Sequence, residues 1–213
     1  MIQVCSRMMN RRLSEGREVK KNMKKIPTLF VREFENHRVV GVKDEFTSEE
    51  CERAFLEGIP TVKFDGSCCA VIDGVFYKRY DAKKGKPIPE GAIKCQDEPD
   101  EITGHLPCWV KISKDDPSDK WFVRAYENYE ANYGTPKNGT YEAIGRHFNG
   151  NPYNFDFDTL IAHGNFAIKL EPRTFERVKE YLEKTTNEGL VFWFEGRSVC
   201  KIKRSDFGLK WPI

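Results

Sequence analysis

The chain has 213 residues, enough for one sizeable domain or two small ones, and we expect one. Lys and Arg number 35 against 33 Asp and Glu, so the net charge of +2 neither suggests nor excludes a nucleic-acid partner. Seven cysteines without a Cys-x-x-Cys pair argue against a disulfide framework or a structural zinc site, and no apolar run approaches the roughly 18 residues of a membrane span.

The first predicted element is a basic segment. Residues 1–25 are rich in Arg and Lys, and their only acids are Glu15 and Glu18. We predict a basic arm or helix over residues 1–26 and a single domain over residues 27–213. The arm could bind phosphates or address an organelle, although a solvated basic helix has the same composition. Otherwise the composition predicts an intracellular, cytoplasmic protein with no membrane partner.

A strand pair and a helix are predicted next. Apolar and polar residues alternate on both sides of Glu35-Asn36-His37, which predicts two strands between residues 28 and 46. Ser48 has the side chain of a helix N-cap, and the acidic residues Glu49 and Glu50 suit a first helical turn. A helix is therefore predicted to begin here.

The central predicted element is a hairpin over residues 61–80. It turns at Asp73-Gly74, since both positions of such a turn need positive φ. Strand alternation places Lys63 and Asp65 on one face, and Gly66 leaves room for another backbone or a ligand. A lysine amine attacks only when deprotonated, which positive neighbours or a divalent metal favour. The pattern fits a lysine that meets a nucleotide phosphate, although a surface Lys and Asp on a hairpin would have the same sequence.

The middle of the chain combines a polar loop with predicted strands. Residues 81–101 contain Pro, Gly and many charges, which predicts a mobile loop that could act as a lid or bind substrate. Residues 106–112 and 120–125 are predicted strands. The second strand leads into an aromatic-rich piece whose tyrosines either pack in the core or stack on bases, namely Tyr126, Tyr129 and Tyr133.

Short strands, a helix and a second hairpin complete the chain. The predicted segments are strands at residues 140–144, 157–162 and 165–170 and an amphipathic helix at residues 174–184. Residues 188–203 then read as a hairpin turned at Glu195-Gly196. Because strand side chains alternate, Lys201 and Lys203 are predicted to face the same way.

An ordered set of motifs runs through these elements. It consists of Lys63-x-Asp65-Gly66, Arg79, Glu142, Phe166, Glu188-Gly189 and Lys201-x-Lys203. This order resembles the signature motifs of the covalent nucleotidyltransferases, which comprise ATP-dependent DNA ligases, RNA ligases and mRNA capping enzymes. The finer match is to the stand-alone 5′-phosphate/3′-hydroxyl RNA ligase family of vertebrates, over KFDGSCC, NGNPY, HGNF, EGLVFW and LKWPI. The resemblance extends from about residue 59 to the carboxyl terminus.

The resemblance implies an α+β fold. The expected nucleotidyltransferase domain, of the ATP-grasp-like ligase type, has two antiparallel sheets with flanking helices and the nucleotide between them. DNA ligases and capping enzymes typically carry an oligonucleotide-binding (OB) barrel after the last lysine motif. Only ten residues follow Lys203, so no C-terminal OB domain is expected.

The resemblance also implies the site residues. Lys63 is the expected nucleophile, and Lys201 and Lys203 complete the catalytic set by placing positive charge on phosphate oxygens and favouring the neutral amine of Lys63. Glu188 and Asp65 are the expected ligands of Mg²⁺ or Mn²⁺. The expected nucleotide-binding residues are Val62, Asp65, Gly66, Arg79, Glu142, Phe166, Glu188, Lys201 and Lys203.

Three of the expected nucleotide contacts have individual roles. Glu142 is expected to accept hydrogen bonds from ribose hydroxyls, and Phe166 to stack on adenine or to belong to the core. Arg79 is expected to contact the ribose or the RNA 5′-phosphate. His163 and the two cysteines after the motif, Cys68 and Cys69, receive no catalytic role.

The expected function is that of an ATP-dependent RNA ligase. Such an enzyme joins RNA 5′-phosphate and 3′-hydroxyl ends through a covalent lysyl-AMP and an adenylylated RNA 5′ end, and its partners are RNA and ATP with no obligate protein partner evident. One alternative is an RNA-end-binding or sensing module that keeps the nucleotide pocket without turnover. Another is a DNA ligase or a guanylyltransferase with the same motif order.

Overall fold

The computed structural model describes residues 25–101 and 103–213. The predicted basic arm therefore lies almost entirely outside the described residues. None of the described helices combines the length and the apolar character needed to cross a bilayer.

The described chain is α+β, as predicted, with three α-helices and antiparallel sheets. In chain order, the elements are β1 (Phe30–Glu35), β2 (Arg38–Phe46), α1 (Glu49–Glu57), β3 (Ile59–Lys63), β4 (Ser67–Ile72), β5 (Val75–Ala82), β6 (Ile93–Lys94), β7 (Leu106–Lys111), α2 (Lys120–Tyr133), β8 (Gly139–Ile144), β9 (Thr159–Ala162), α3 (Phe175–Lys184), β10 (Gly189–Phe194) and β11 (Arg197–Lys203). Two short 3₁₀ helices cover Pro117–Asp119 and Arg204–Phe207.

Two sheets of unequal size dominate the fold. The larger has six strands in the order β6-β7-β5-β4-β8-β9, and the smaller has three in the order β11-β10-β3. The predicted strand pair near the start of the domain, β1 and β2, forms a separate two-stranded sheet beside the two that were expected. Its turn residues Asn36 and His37 both have positive φ.

The smaller sheet shares a core with α1 and α3. Phe30, Phe55 and Phe192 are at most 1% exposed and belong to this core together with apolar residues of α3. Both helices begin where the sequence predicts: the Ser48 hydroxyl accepts a hydrogen bond from the Cys51 N–H, and the Thr174 hydroxyl accepts one from the Arg177 N–H.

The larger sheet packs against α2, which replaces a predicted strand. The prediction of a strand at residues 120–125 is wrong, because the whole segment from Lys120 to Tyr133 is helical. A segment of six residues is too short to distinguish the 3.6-residue period of a helix from the two-residue period of a strand. Over the longer span, apolar residues recur at helical spacing and meet the sheet, namely Trp121, Phe122, Ala125, Tyr126 and Tyr129.

The Lys63 segment also differs from its prediction. The hairpin turn at Asp73-Gly74 is confirmed, but it joins β4 to β5, whereas Lys63 ends β3 in the other sheet. Residues 64–66 cross between the sheets. A side chain at Gly66 would overlap the Ala143 carbonyl oxygen of β8, so glycine lets this crossing lie directly against the larger sheet.

The remaining segments follow the predictions with one exception. The second predicted hairpin is confirmed as β10 and β11, and residues 81–101 are mostly loop, with only the end of β5 and the short β6 in strands. The strand predicted at residues 165–170 is wrong, since this segment pairs with β3 through one bridge, between Ala167 and Thr61. Pro60 has no N–H to extend the ladder, and Leu170 turns into the core.

Candidate active site

Three lysines and one carboxylate meet at the end of the smaller sheet. Gly189 on the central strand β10 lies opposite Lys63 on one side and Lys203 on the other, so the two lysines flank the residue that precedes it, Glu188. The Lys63 Nζ lies 2.5 Å from Glu188 Oε2, and the Lys203 Nζ lies 2.6 Å from Glu188 Oε1. The predicted convergence of these side chains is thus present in the fold.

Glu188 is a buried anion with two cationic partners. Its side chain is 5% exposed, and each carboxylate oxygen serves one lysine. Removing either partner would leave the carboxylate under-compensated in a medium of low dielectric constant. In this arrangement the Lys63 amine is engaged by Glu188, so a role as nucleophile requires it to leave that carboxylate.

Lys201 is the third lysine of the cluster. Its Nζ makes no ion pair with any residue that the structure describes. Burial and the charges of Lys203, Lys63 and Arg32 lower the pKa of Lys201 from 10.5 to about 8. Arg32 on β1, whose guanidinium pairs with Asp206, was not predicted as part of the site, because its place beside β11 arises from the packing of two separate sheets.

Asp65 is held by residues that are distant in sequence. Its Oδ1 accepts a hydrogen bond from Asn149 Nδ2 at 2.8 Å, and its Oδ2 accepts one from Trp211 Nε1 at 2.7 Å. Its backbone N–H donates to the Tyr153 hydroxyl at 2.6 Å. Sequence reasoning gave these three residues no role, although all three lie in motifs that carry the resemblance, NGNPY and LKWPI.

Glu142 and His163 form the neighbouring part of the site. Glu142 Oε1 accepts a hydrogen bond from the Gly66 N–H at 3.1 Å, and its Oε2 lies 3.0 Å from His163 Nε2. The other ring nitrogen of His163 lies 3.0 Å from the Thr140 hydroxyl. His163, which had no predicted role, therefore fixes the carboxylate of Glu142.

The other predicted residues line the same region. Arg79 pairs with Asp81 at 2.9 Å and lies near Cys68, whose thiol pKa is raised by burial and by Glu142 and lowered by the Arg79 charge. Phe166 is 45% exposed and packs edge-on against Phe64, with ring centres 5.3 Å apart.

The remaining predicted contact is made by backbone groups. The Val62 N–H donates to the Phe166 carbonyl at 2.9 Å, which ties the segment after β9 to β3. The predicted residues therefore occupy one continuous region, in which residues 64–66 join the lysine cluster to Glu142.

The predicted metal ligands have the right chemistry for a hard cation. Carboxylate oxygens of Glu188 and Asp65 suit Mg²⁺ or Mn²⁺, which keep several water ligands. Every one of these oxygens already has a cationic or N–H partner, so a metal would compete with Lys63 and Lys203 at Glu188. Within residues 25–101 and 103–213, three side chains that do lie close enough together to hold one metal ion are those of Cys68, Glu142 and His163. This set differs from the predicted pair of Glu188 and Asp65.

Comparisons with known proteins point to one family. A family model described as RNA ligase 1 matches residues 134–213. An RNA ligase 1 of Pongo abelii is 24% identical over an alignment of 274 positions, which covers 89% of this chain and 82% of the relative. An RNA ligase 1 of Danio rerio is 27% identical over 149 positions, which cover 54% of this chain and 44% of the relative. The chain is thus similar to RNA ligase 1 proteins of two vertebrates, at modest identity.

The resemblance predicted from the motifs is therefore confirmed at the level of the RNA ligase family. The span matched by the RNA ligase 1 model includes Glu142, Phe166, Glu188 and both lysines of β11. Lys63 precedes that span, but it contacts Glu188 within it. The geometry thus joins the predicted nucleophile to the part of the chain that carries the family match.

Proposed function

We propose that this protein is an ATP-dependent RNA ligase that joins RNA 5′-phosphate and 3′-hydroxyl ends through a covalent AMP on Lys63. The observation that supports this most strongly is the cluster of Lys63, Lys201 and Lys203 around the single buried carboxylate of Glu188. Three cations with one close anion leave an excess of positive charge, which suits a triphosphate.

The first proposed step is attack of the Lys63 amine on the α-phosphorus of ATP. The ammonium first gives one proton to solvent, and the neutral amine then forms a nitrogen–phosphorus bond as the bond to pyrophosphate breaks; the second nitrogen proton passes to water, which leaves a phosphoramidate. Entering phosphate oxygens would compete with Glu188 for both Lys63 and Lys203, while Lys201 faces the developing negative charge. Mg²⁺ or Mn²⁺, held by Glu188 and Asp65, would neutralise charge on the phosphates.

The adenosine part of the nucleotide is proposed to lie against Glu142 and Phe166. Glu142 is held from two sides by the Gly66 N–H and His163, so its oxygens are in place to accept bonds from ribose hydroxyls. The exposed part of the Phe166 ring offers a face for adenine.

The later proposed steps are also displacements at phosphorus. AMP moves from Lys63 to the RNA 5′-phosphate, and a 3′-hydroxyl then attacks that phosphorus with AMP as the leaving group. Arg79 is proposed to contact the ribose or the 5′-phosphate, because its partner Asp81 is partly exposed and can be exchanged for a phosphate.

The first test is covalent labelling. Pure protein is incubated with α-³²P-labelled ATP or GTP and Mg²⁺ or Mn²⁺, and label that survives denaturing electrophoresis is measured. We expect label from ATP on the wild type and on Lys179→Ala, an exposed lysine of α3, but none on Lys63→Ala. Label from GTP alone would favour a guanylyltransferase instead.

The second test separates a ligase from a binding module. Labelled protein is mixed with RNA or DNA strands that carry a 5′-phosphate and a 3′-hydroxyl, and joined product is measured. Joining of RNA is expected. Folded protein, free of bound adenylate, that binds RNA but never takes label would contradict the ligase and favour an RNA-end-binding module.

A further inference from the structure

An aromatic stack lies where α2 begins. The rings of Trp121 on α2 and His147, in the turn after β8, are nearly parallel at 8°, with centres 3.3 Å apart. The Lys120 Nζ lies 4.4 Å from the centre of the Trp121 ring. A cation, an indole and an imidazole are therefore held together at this surface.

A buried carboxylate fixes the position of His147 in this stack. Asp158 is 2% exposed, and its Oδ1 accepts a hydrogen bond from the His147 backbone N–H at 3.0 Å. Its Oδ2 lies 2.8 Å from His147 Nδ1. Both the ring and the backbone of His147 are thus fixed, so a ligand at this surface would meet a preorganised group.

Three exposed cations lie on the two segments that carry the stack, and the exposed carboxylates of the neighbouring loops are Asp115, Asp116 and Asp156. Lys120, Arg124 and Arg146 are all exposed, and none of them forms an ion pair or hydrogen bond with another residue of the described ranges 25–101 and 103–213. The carboxylates of Asp119 and Asp158 lie at the same place, but both are buried and paired, with Lys78 and His147. The solvent therefore meets unpaired cations, although the whole chain is nearly neutral.

The turn that carries His147 leads to the segment after Lys63, while α2 packs on Tyr141 and Ala143 and so lies on the sheet face opposite Glu142. His147 is two residues before Asn149, whose side-chain amide donates to Asp65 and to the Gly66 carbonyl, each at 2.8 Å. The turn that carries His147 thus also contacts the segment that follows Lys63.

We infer that Lys120, Arg124, Arg146 and the Trp121–His147 stack form a binding surface for the RNA backbone next to its reacting end. This inference rests on the proposed function. Exposed lysine and arginine side chains bind phosphates in a way that does not depend on sequence, and the stack holds Lys120 and His147 in place. Because α2 packs on the sheet face opposite Glu142, RNA bound here does not occupy the proposed adenosine site.

The test is RNA affinity as a function of salt. Lys120→Gln, Arg124→Gln and Arg146→Gln are combined in one variant, and binding of a fluorescent, 5′-phosphorylated single-stranded RNA is measured by anisotropy over a range of KCl concentrations. Each lost phosphate contact lowers the slope of log affinity against log salt by roughly 0.7 for single strands. We expect affinity to fall at least tenfold and the slope to decrease by about 2.

A charge-matched control distinguishes a surface from a net-charge effect. Lys43→Gln, Lys179→Gln and Lys184→Gln remove three exposed cations from β2 and α3, on other faces of the molecule. This variant is expected to bind RNA within about twofold of the wild type. An equal loss in both variants, or no loss in the first, would overturn the inference.

ATP-dependent labelling keeps the inference separate from the proposed function. Labelling of Lys63 needs no RNA, so a variant that loses RNA affinity and RNA joining but still takes label supports the surface. Absence of label on the wild type would contradict the ligase and leave the comparison of RNA affinities intact. Thermal unfolding and the single change Arg146→Gln, at an exposed turn residue, guard against a loss of affinity caused by misfolding.

Discussion

Lys201 carries a positive charge in an unfavourable place. It is partly buried, it faces Lys63, Lys203 and Arg32, and the carboxylate that offsets this charge, Glu188, is already shared by two other lysines. A charge held against burial and like-charged neighbours lowers the stability of the folded state. Such a position is understandable if the charge serves a phosphate ligand.

The first prediction concerns Lys201→Met and pH. Since the folded-state pKa of Lys201 is about 8, below its ordinary 10.5, the folded protein binds fewer protons than the unfolded chain between these values, and stability contributed by this group rises with pH there. Below pH 8, Lys201 is charged in the folded protein as well, so the full unfavourable free energy of holding this charge in the cluster lowers stability. We expect Lys201→Met to raise the free energy of unfolding by about 1–2 kcal/mol at pH 7, and the gain to disappear above about pH 10.

Urea unfolding at pH 7 and at pH 10 measures this effect. Lys203→Met is the matched control, because Lys203 has a direct partner in Glu188. Its removal is expected to destabilise the protein by about 1–3 kcal/mol at pH 7. Two lysines of one strand would then change stability in opposite directions. A loss of stability in Lys201→Met at pH 7 would contradict the account of that site.

At the scale of the elements, the crossing at residues 64–66 holds the two sheets together. Gly66 lies against β8 so closely that an added Cβ would overlap the Ala143 carbonyl oxygen and lie 2.7 Å from Ile144 Cγ2. Its N–H also donates to Glu142. Any side chain here must push the crossing away from the larger sheet and move Lys63 relative to Glu142.

The second prediction is that Gly66→Ala destabilises the fold and weakens labelling. We expect a loss of about 2–3 kcal/mol in the free energy of unfolding, because backbone atoms of β8 cannot move aside. Gly74→Ala is the control: Gly74 has a φ of +74° but nothing within 4 Å of an added Cβ, so only the strain of about 1 kcal/mol applies. Equal losses in thermal or urea unfolding would show that the close approach is unimportant.

This crossing also shows where sequence patterns stop being informative. The Asp73-Gly74 turn and the Ser48 cap could be predicted, because each depends on a few neighbouring residues. Strand alternation could not reveal that β3 ends at Lys63 and that β4 belongs to another sheet. Likewise, the first six residues of α2 have the pattern of a strand, since the helical period appears only over a longer span.

The site residues also fall into two groups, those that the sequence motifs predict and those that only long-range packing brings into place. The ordered motifs suggested Lys63, Glu188 and the lysines of β11 together, and the fold brings them together. Arg32, Asn149 and Trp211 could not be placed, because their contacts with Asp206 and Asp65 span 84 to 174 positions in the sequence. Long-range packing decides such contacts, and no local period records them.

At the scale of the whole molecule, Asp65 connects the Lys63 segment to the last residues of the chain. The Trp211 indole N–H donates to Asp65, and the Trp211 ring packs against Tyr153, with ring centres 5.7 Å apart. Tyr153 in turn accepts the Asp65 backbone N–H. The segment around Trp211 therefore supports the position of a proposed metal ligand from outside both sheets.

The last prediction tests this support with Trp211→Phe. Phenylalanine keeps an aromatic ring against Tyr153 but removes the N–H that fixes Asp65, and a hydrogen bond to a charged group contributes about 1.5–3 kcal/mol. We expect the initial rate of labelling at saturating ATP to fall roughly tenfold or more, since about 1.4 kcal/mol corresponds to a factor of ten. Trp193→Phe is the matched control, because it removes an indole N–H that donates to the Thr61 hydroxyl, which has no contact with Asp65. A fall in Trp211→Phe alone would place the effect at Asp65, whereas equal rates in both variants would mean that the contact with Trp211 does not position this carboxylate for the reaction.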